Sequence, residues 1–232
     1  MRYGFGIDYT YLIFVLPALL FTLWAQFRVK TAFAKYQKIA SDRNMTGAEA
    51  ARLVLEQNGV GGVTVTRIGG QLTDHYDPKE NVIRLSESVY DARTAAAVGV
   101  AAHEAGHAVQ YAVGYAPIHV RSAVIPVTKI GTYAAWPLFL LGMVMSVGAL
   151  QLAGIVLFSA CVVFQLLTLP VEINASRRAM KALENAGLSD EGLKAAKSVL
   201  TAAALTYVAA LASALANLLR LLALYGSGRR RR

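Results

Sequence analysis

The sequence contains few charged residues and almost no cysteine. Only 16% of its 232 residues are charged, whereas 56% are hydrophobic and the mean hydropathy is +0.44. This balance lies outside the usual composition of a soluble globular domain and indicates a membrane protein. The single cysteine, Cys161, cannot form a disulfide within the chain, which excludes a fold that depends on disulfides.

Acidic residues are scarce as well. Fourteen Asp and Glu face 23 Lys and Arg, which gives a formal net charge of +9. The cations lie beside apolar segments and in the tail at residues 229–232 rather than on one polar domain. Such a distribution is typical of contact with anionic lipid headgroups. The predicted partner is therefore the lipid bilayer and not a nucleic acid.

Long apolar runs without a formal charge are abundant. Residues 9–27 are long enough to cross a bilayer, and the cations after them predict an external amino terminus. Residues 133–150 and 152–169 predict a membrane hairpin with its turn near Gln151, and residues 201–219 predict a fourth apolar helix. A fourth crossing would place the arginine tail outside, against the positive-inside preference, so the topology of this helix stays open.

The segment between the first apolar run and the hairpin has the mixed charges of a soluble domain. Thr46 and Glu49 form a predicted capping box at the start of a helix. Two predicted strands and an alanine-rich predicted helix follow, at residues 63–68, 82–85 and 94–112. A small sheet is therefore expected just before this last helix.

His103, Glu104 and His107 match the pattern H-E-x-x-H on the alanine-rich helix. Residues four apart on a helix lie on one face, so both imidazoles can bind one ion. Two imidazoles and a carboxylate favour zinc, with a fourth position left for water. Glu104 lies close enough to act as general base toward a metal-activated water. The motif thus predicts a metal-dependent hydrolase.

A third protein ligand has to come from outside the motif. The extended form H-E-x-x-H-x-x-G-x-x-H fails, because position 113 is Val113. Glu172 is the strongest candidate, since a carboxylate at the end of an apolar helix is costly without a partner. A salt bridge from Glu172 to Arg177 or Arg178 is the alternative explanation. His75 competes with Glu172 as the third ligand.

Four separated stretches occur in an order typical of one enzyme family; they are residues 72–78, 85–87, 103–107 and 169–179. Together they resemble the YugP-type neutral zinc metallopeptidases of bacterial membranes. More distantly, the order of motif helix, hairpin and Glu-bearing helix is similar to that of the HtpX-type and CAAX prenyl proteases.

The resemblance to these proteases implies roles for individual residues. It implies that Glu172 is the third zinc ligand. The distant relatives usually place Asp four residues later, where this chain has Ser176, and a hydroxyl orients an imidazole more weakly than a carboxylate does. Arg177 matches an arginine of the distant relatives, which implies a role near the substrate.

The expected fold is that of a mainly α membrane protein. It has about four transmembrane helices and a small α+β, zincin-like cytoplasmic domain that carries the HExxH helix. The expected segments are a transmembrane helix (1–27), the catalytic domain (28–122), a membrane hairpin (123–171), a Glu-bearing helix that completes the metal site (172–200), and an apolar helix with the basic tail (201–232).

The expected function is that of a gluzincin-like zinc endopeptidase, a multi-pass protein of a bacterial cell membrane. It would cleave membrane or misfolded proteins, or peptides, at the cytoplasmic face. Zn²⁺ would be held by His103, His107 and Glu172, with Glu104 as the general base. The candidates for supporting a ligand or contacting substrate are Asp74, His75, Ser176 and Arg177.

Two other classes of protein compete with this interpretation. If the protein were a non-catalytic membrane scaffold, the position of Glu104 between the two histidines and of Glu172 at the membrane edge would have no explanation. A zinc-binding transporter or sensor would need charged side chains inside the bilayer, and residues 133–169 have none. The letters HEAGH also resemble FtsH-type proteases, but the sequence has no G-x-x-x-x-G-K-[ST] loop for ATP. The oligomeric state does not follow from any of these features.

Overall fold

The computed structural model describes residues 9–229 and is mostly helical. Residues 230–232 of the arginine tail lie outside the described part. A π-helical turn at Tyr11–Val15 leads directly into the first α-helix. The elements are α1 (Leu16–Tyr36), α2 (Gly47–Gln57), β1 (Thr64–Ile68), β2 (His75–Asp77), β3 (Val82–Ser86), α3 (Glu87–Tyr90), α4 (Ala95–Ala112), α5 (Ala116–Val144), α6 (Gly148–Asn185) and α7 (Asp190–Arg229).

Helices α1, α5, α6 and α7 are long and apolar enough to cross a membrane. Each exceeds the roughly 20 residues that a bilayer core requires. At most 28% of the residues in the apolar window of each helix are buried, and large apolar side chains such as Leu20, Val156 and Leu219 are exposed, as they would be in lipid. The expectation of about four candidate membrane helices is confirmed.

The membrane hairpin turns at residues 145–147, so the prediction of a turn near Gln151 was wrong. Val147 N donates to Gly142 O at 2.9 Å and closes the end of α5. Gln151 already lies within α6, where its side-chain amide donates to Gly142 O at 3.1 Å. The side chain of Gln151 therefore satisfies a helix-end carbonyl instead of marking a loop.

Two helices continue past their predicted limits. The sequence suggested a division of the hairpin from a Glu-bearing helix at residues 171 and 172, yet α6 runs on to Asn185 with Pro170 inside it. Proline is tolerated within apolar helices when neighbouring groups satisfy the freed carbonyl. Helix α7 runs from Asp190 to Arg229 and so extends beyond the predicted residues 201–219. It begins after Ser189, whose Oγ caps it by accepting from Gly192 N at 3.1 Å.

Two compact units make up the chain. The first contains the apolar parts of the chain, up to Ala25, at Val120–Thr168 and from Tyr207 onward. Within it the guanidinium of Arg220 lies 5.3 Å from the ring of Tyr11 and 5.1 Å from that of Trp136. These cation–π contacts accommodate a charged residue among apolar helices.

The second unit contains Gln26–His119 and Leu169–Thr206. Its sheet has the order β1-β3-β2, with β1 parallel and β2 antiparallel to β3. Strands β1 and β3 confirm the two predicted strands, and β2 adds an edge strand. The predicted capping box is also confirmed, because Thr46 Oγ1 accepts from Glu49 N and Glu49 Oε2 accepts from Thr46 N.

Helix α4 lies at the centre of the second unit. Fully buried apolar side chains of this unit come from α2, α3, the sheet, α4 and α6, and they include Val54, Val89, Ile83, Leu85, Val109 and Leu183. Thr94 caps α4, since its side chain accepts from Ala97 N at 3.3 Å. The predicted helix at residues 94–112 is confirmed, and the surrounding core fixes its orientation.

Candidate metal centre

Helix α4 presents two histidines on one face. His103 and His107 are four residues apart, and their ring centroids are 4.7 Å apart. Their side chains are only 13% and 12% exposed. The helix is rich in alanine at its buried positions, which lets neighbouring elements pack close to both rings.

Glu172 reaches these histidines from α6. Its Oε2 is 3.2 Å from His103 Nε2 and 3.4 Å from His107 Nε2. The approach depends on Gly106, because a Cβ at that position would lie 2.4 Å from Ala175 O. A glycine between the two histidines therefore allows the backbone of α6 to come close enough for Glu172 to meet both rings.

The three side chains form a group that can hold a metal ion. One ligand atom of each residue lies within 4.8 Å of the others. Two ligands at about 2.0–2.1 Å from a tetrahedral zinc ion are about 3.3 Å apart, which agrees with the separations from Glu172 to both rings. Two nitrogens and one oxygen are also ligands that zinc accepts. Spacing, burial and donor types therefore fit Zn²⁺.

The electrostatics of the centre favour a cation. The side chain of Glu172 is only 3% exposed, and a buried carboxylate is costly without a compensating charge. Burial lowers the pKa of His107, but the hydrogen bond and charge of Glu172 and the charge of Glu104 outweigh it and raise that pKa above its usual value. Two carboxylates thus give this buried site a negative potential.

Hydrogen bonds at the opposite ring nitrogens hold both imidazoles. His103 Nδ1 lies 3.0 Å from Ser176 Oγ, and His107 Nδ1 lies 3.0 Å from Gln110 Oε1. Because Gln110 Oε1 can only accept, His107 carries its proton on Nδ1 and leaves Nε2 for a metal. A serine hydroxyl can donate or accept, so Ser176 constrains the tautomer of His103 less strongly.

Gln110 is fully buried and was not among the predicted site residues. Its Nε2 donates to Val171 O at 2.8 Å and to Asn174 Oδ1 at 3.0 Å. These contacts to a carbonyl and an amide oxygen fix which end of the Gln110 amide faces His107. The signal in the sequence is a polar residue three positions after His107, on the buried side of an alanine-rich helix.

Glu104 is held by the edge strand of the sheet. Its Oε2 accepts from Tyr76 N at 3.0 Å, and Tyr76 belongs to β2. This contact places the carboxylate at the junction of the motif helix and the sheet edge.

Three predicted residues lie outside the group formed by Glu172 and the histidines. Asp74 accepts from Ser86 N at 2.7 Å and from Ser86 Oγ, and so ties the loop before β2 to the end of β3. His75 Nδ1 lies 2.8 Å from Thr73 O. Arg177 is exposed and follows Ser176 on α6. Of the two candidate third ligands, the structure brings Glu172 and not His75 to the histidines.

Comparison with known proteins gives two matches that cover nearly the whole chain. Residues 11–226 match a family model described as "Putative neutral zinc metallopeptidase". The chain is also 45% identical, over 222 residues, to "Putative membrane protease YugP" of Bacillus subtilis (strain 168), which covers 94% of this chain and 98% of that protein. No solved structure matches the chain. The family match includes both α4 and Glu172.

Proposed function

Because the chain belongs to this family of neutral zinc metallopeptidases, we propose that it is a zinc-dependent membrane endopeptidase of the gluzincin type. The observation that carries the proposal is the convergence of Glu172 with His103 and His107, from two helices far apart in sequence. The three residues would hold the zinc ion. When bound, zinc supplies a Lewis acid that polarises a peptide carbonyl and lowers the pKa of a water molecule.

The chain's own residues supply positioning and proton transfer. Gln110 and Ser176 orient the two imidazoles so that each Nε2 faces Glu172. Glu104 takes a proton from the attacking water and passes it to the leaving amine as the C–N bond breaks. The Tyr76 N–H holds Oε2 of Glu104, so the other carboxylate oxygen serves as the proton acceptor.

The substrates proposed here are proteins or peptides at the cytoplasmic face, including membrane or misfolded proteins. The relative from Bacillus subtilis is described as "Putative membrane protease YugP", which supports a polypeptide substrate. Strand β2 lies at the edge of the sheet and next to Glu104, where an extended segment could add as a further strand. Lys and Arg residues follow the apolar run that ends at residue 27 and also lie around residue 177. Because cations are enriched on the cytoplasmic side of membrane helices, they support a cytoplasmic position for residues 28–122 and 172–200.

The proposal is tested with the full-length protein, purified in detergent and loaded with zinc. Incubation with an unfolded protein should give discrete fragments by mass spectrometry. Glu104→Gln should retain about one zinc per chain yet lose at least about 99% of the cleavage, because only the proton acceptor is removed. Zinc-loaded wild-type protein that cleaves no substrate in a broad peptide library would contradict the proposed function.

A further inference from the structure

A groove of about 550 Å³ lies between α6 and α7 in the second unit. Its walls carry apolar side chains from both helices and three charged ones. These walls include Ile173, Ser176, Arg177, Glu184, Leu193 and Lys197. No step of the proposed peptide hydrolysis uses this groove.

Ser176 connects the groove to the metal centre. It lines the groove, and its Oγ lies 3.0 Å from His103 Nδ1. Ile173, at the same end, directly follows the candidate ligand Glu172. A polypeptide in the groove would therefore begin within about one helical turn, roughly 5 Å, of the metal ligands.

The charges in the groove favour an acidic partner. Arg177 and Lys197 are both exposed, and neither has an ion pair or hydrogen bond within residues 9–229. Glu184 is the single acidic residue in the lining. Two unpaired cations attract carboxylates and repel other cations, so they contribute to selectivity as well as affinity.

The length of the groove suits an extended peptide. Ile173 and Glu184 are about three helical turns apart, roughly 16 Å along α6. An extended chain advances about 3.3 Å per residue, so about five residues fit. Ile173, which is exposed, and Leu193, which is half-buried, offer apolar surface to such a segment.

We propose, on the basis of the proposed function, that this groove binds about five substrate residues on one side of the scissile bond and selects an apolar segment that carries an acidic residue. An anionic lipid headgroup would meet the same two cations. The presence of Glu184 in the lining and the direct connection through Ser176 to His103 favour a polypeptide.

The test uses cleavage profiling of the zinc-loaded, full-length protein in phosphatidylcholine nanodiscs with a proteome-derived peptide library. Mass spectrometry should show Asp and Glu enriched at one fixed position within about five residues of the cleaved bond. In Lys197→Glu, Lys and Arg should be enriched at that position instead of Asp and Glu. The same variant should have a kcat/KM for an acidic peptide that is lower by about fivefold or more. Lys194→Glu, which changes an exposed cation of α7 outside the lining, should leave both unchanged.

The outcomes separate this proposal from the proposed function. Cleavage without an acidic preference, or a preference that survives Lys197→Glu, overturns the groove proposal and leaves the peptidase intact. If the wild type cleaves nothing, the groove is tested by binding alone, with zinc-loaded Glu104→Gln. Its affinity for the acidic peptide is compared with its affinity for the same peptide with lysine in place of the acidic residue. Equal affinities overturn the groove proposal. If Lys197→Glu leaves cleavage unchanged and lowers only the retention of phosphatidylglycerol in nanodiscs that also contain this lipid, the groove is a lipid site and the proposal is wrong.

Discussion

Gln110 Oε1 lies 3.0 Å from His107 Nδ1, while the other end of the same amide donates to Val171 O on α6. One buried side chain thus orients a candidate zinc ligand and joins the two helices that supply the ligands. The register between α4 and α6 and the direction of the His107 ring are therefore set by the same residue. This double role makes Gln110 the best place to test how the centre is held.

Gln110→Leu should weaken zinc binding by about 10- to 100-fold, because His107 loses the acceptor that fixes its tautomer. It should also destabilise the protein by roughly 1–3 kcal/mol, since Val171 O is left without its buried donor. Competition with a zinc chelator measures the first effect. Asn174→Ala is the matched control, because it removes one partner of the Gln110 amide and keeps the bond to His107. Equal zinc affinities for the two variants would contradict the positioning role.

Gly106→Ala should separate α4 from α6, because the new Cβ would lie 2.4 Å from Ala175 O. We expect a loss of roughly 1–3 kcal/mol in stability from overpacking, together with loss of zinc as Glu172 moves away. Gly99→Ala on the same helix is the control, since its Cβ would be 3.3 Å from its nearest neighbour, Ala196 Cα. Thermal unfolding and zinc analysis distinguish the two variants. Normal zinc content in Gly106→Ala would show that the close approach is not needed.

Residues 28–122 expressed alone should bind zinc at least about 10-fold more weakly than the full chain and should lack activity. The segment carries His103 and His107 but omits Glu172. It also omits Leu183, which is fully buried in the same core as α4. Isothermal titration with zinc measures the difference. Zinc affinity equal to that of the full chain would mean that α6 contributes no ligand.

Local signals in the sequence predicted the parts of the fold that local interactions control. The capping box of Thr46 and Glu49 marked the start of α2, and alanine-rich helical spacing marked α4. Two short runs at residues 63–68 and 82–85 marked β1 and β3. The metal motif was also local, because helical spacing alone places His103 beside His107. These features therefore agreed with the structure to within one or two residues.

Features that depend on contacts between distant segments were harder to predict. Gln151 resembled a turn residue, yet its amide binds Gly142 O across the hairpin. The proximity of Glu172 to the histidines depends on the register of α6, which the sequence does not specify. Gln110 was missed for the same reason, because its importance lies in bonds to a helix about 60 residues away.

The central claim is that Glu172 completes a zinc site with His103 and His107, and one measurement tests it most directly. Zinc per chain is determined by elemental analysis for full-length wild type, Glu104→Gln and Glu172→Gln, with circular dichroism to verify that each remains helical. We expect about one zinc ion in the first two and less than about 0.1 in Glu172→Gln, because a neutral amide is a poor zinc ligand. Stoichiometric zinc in a folded Glu172→Gln protein would contradict the account and place the third ligand elsewhere.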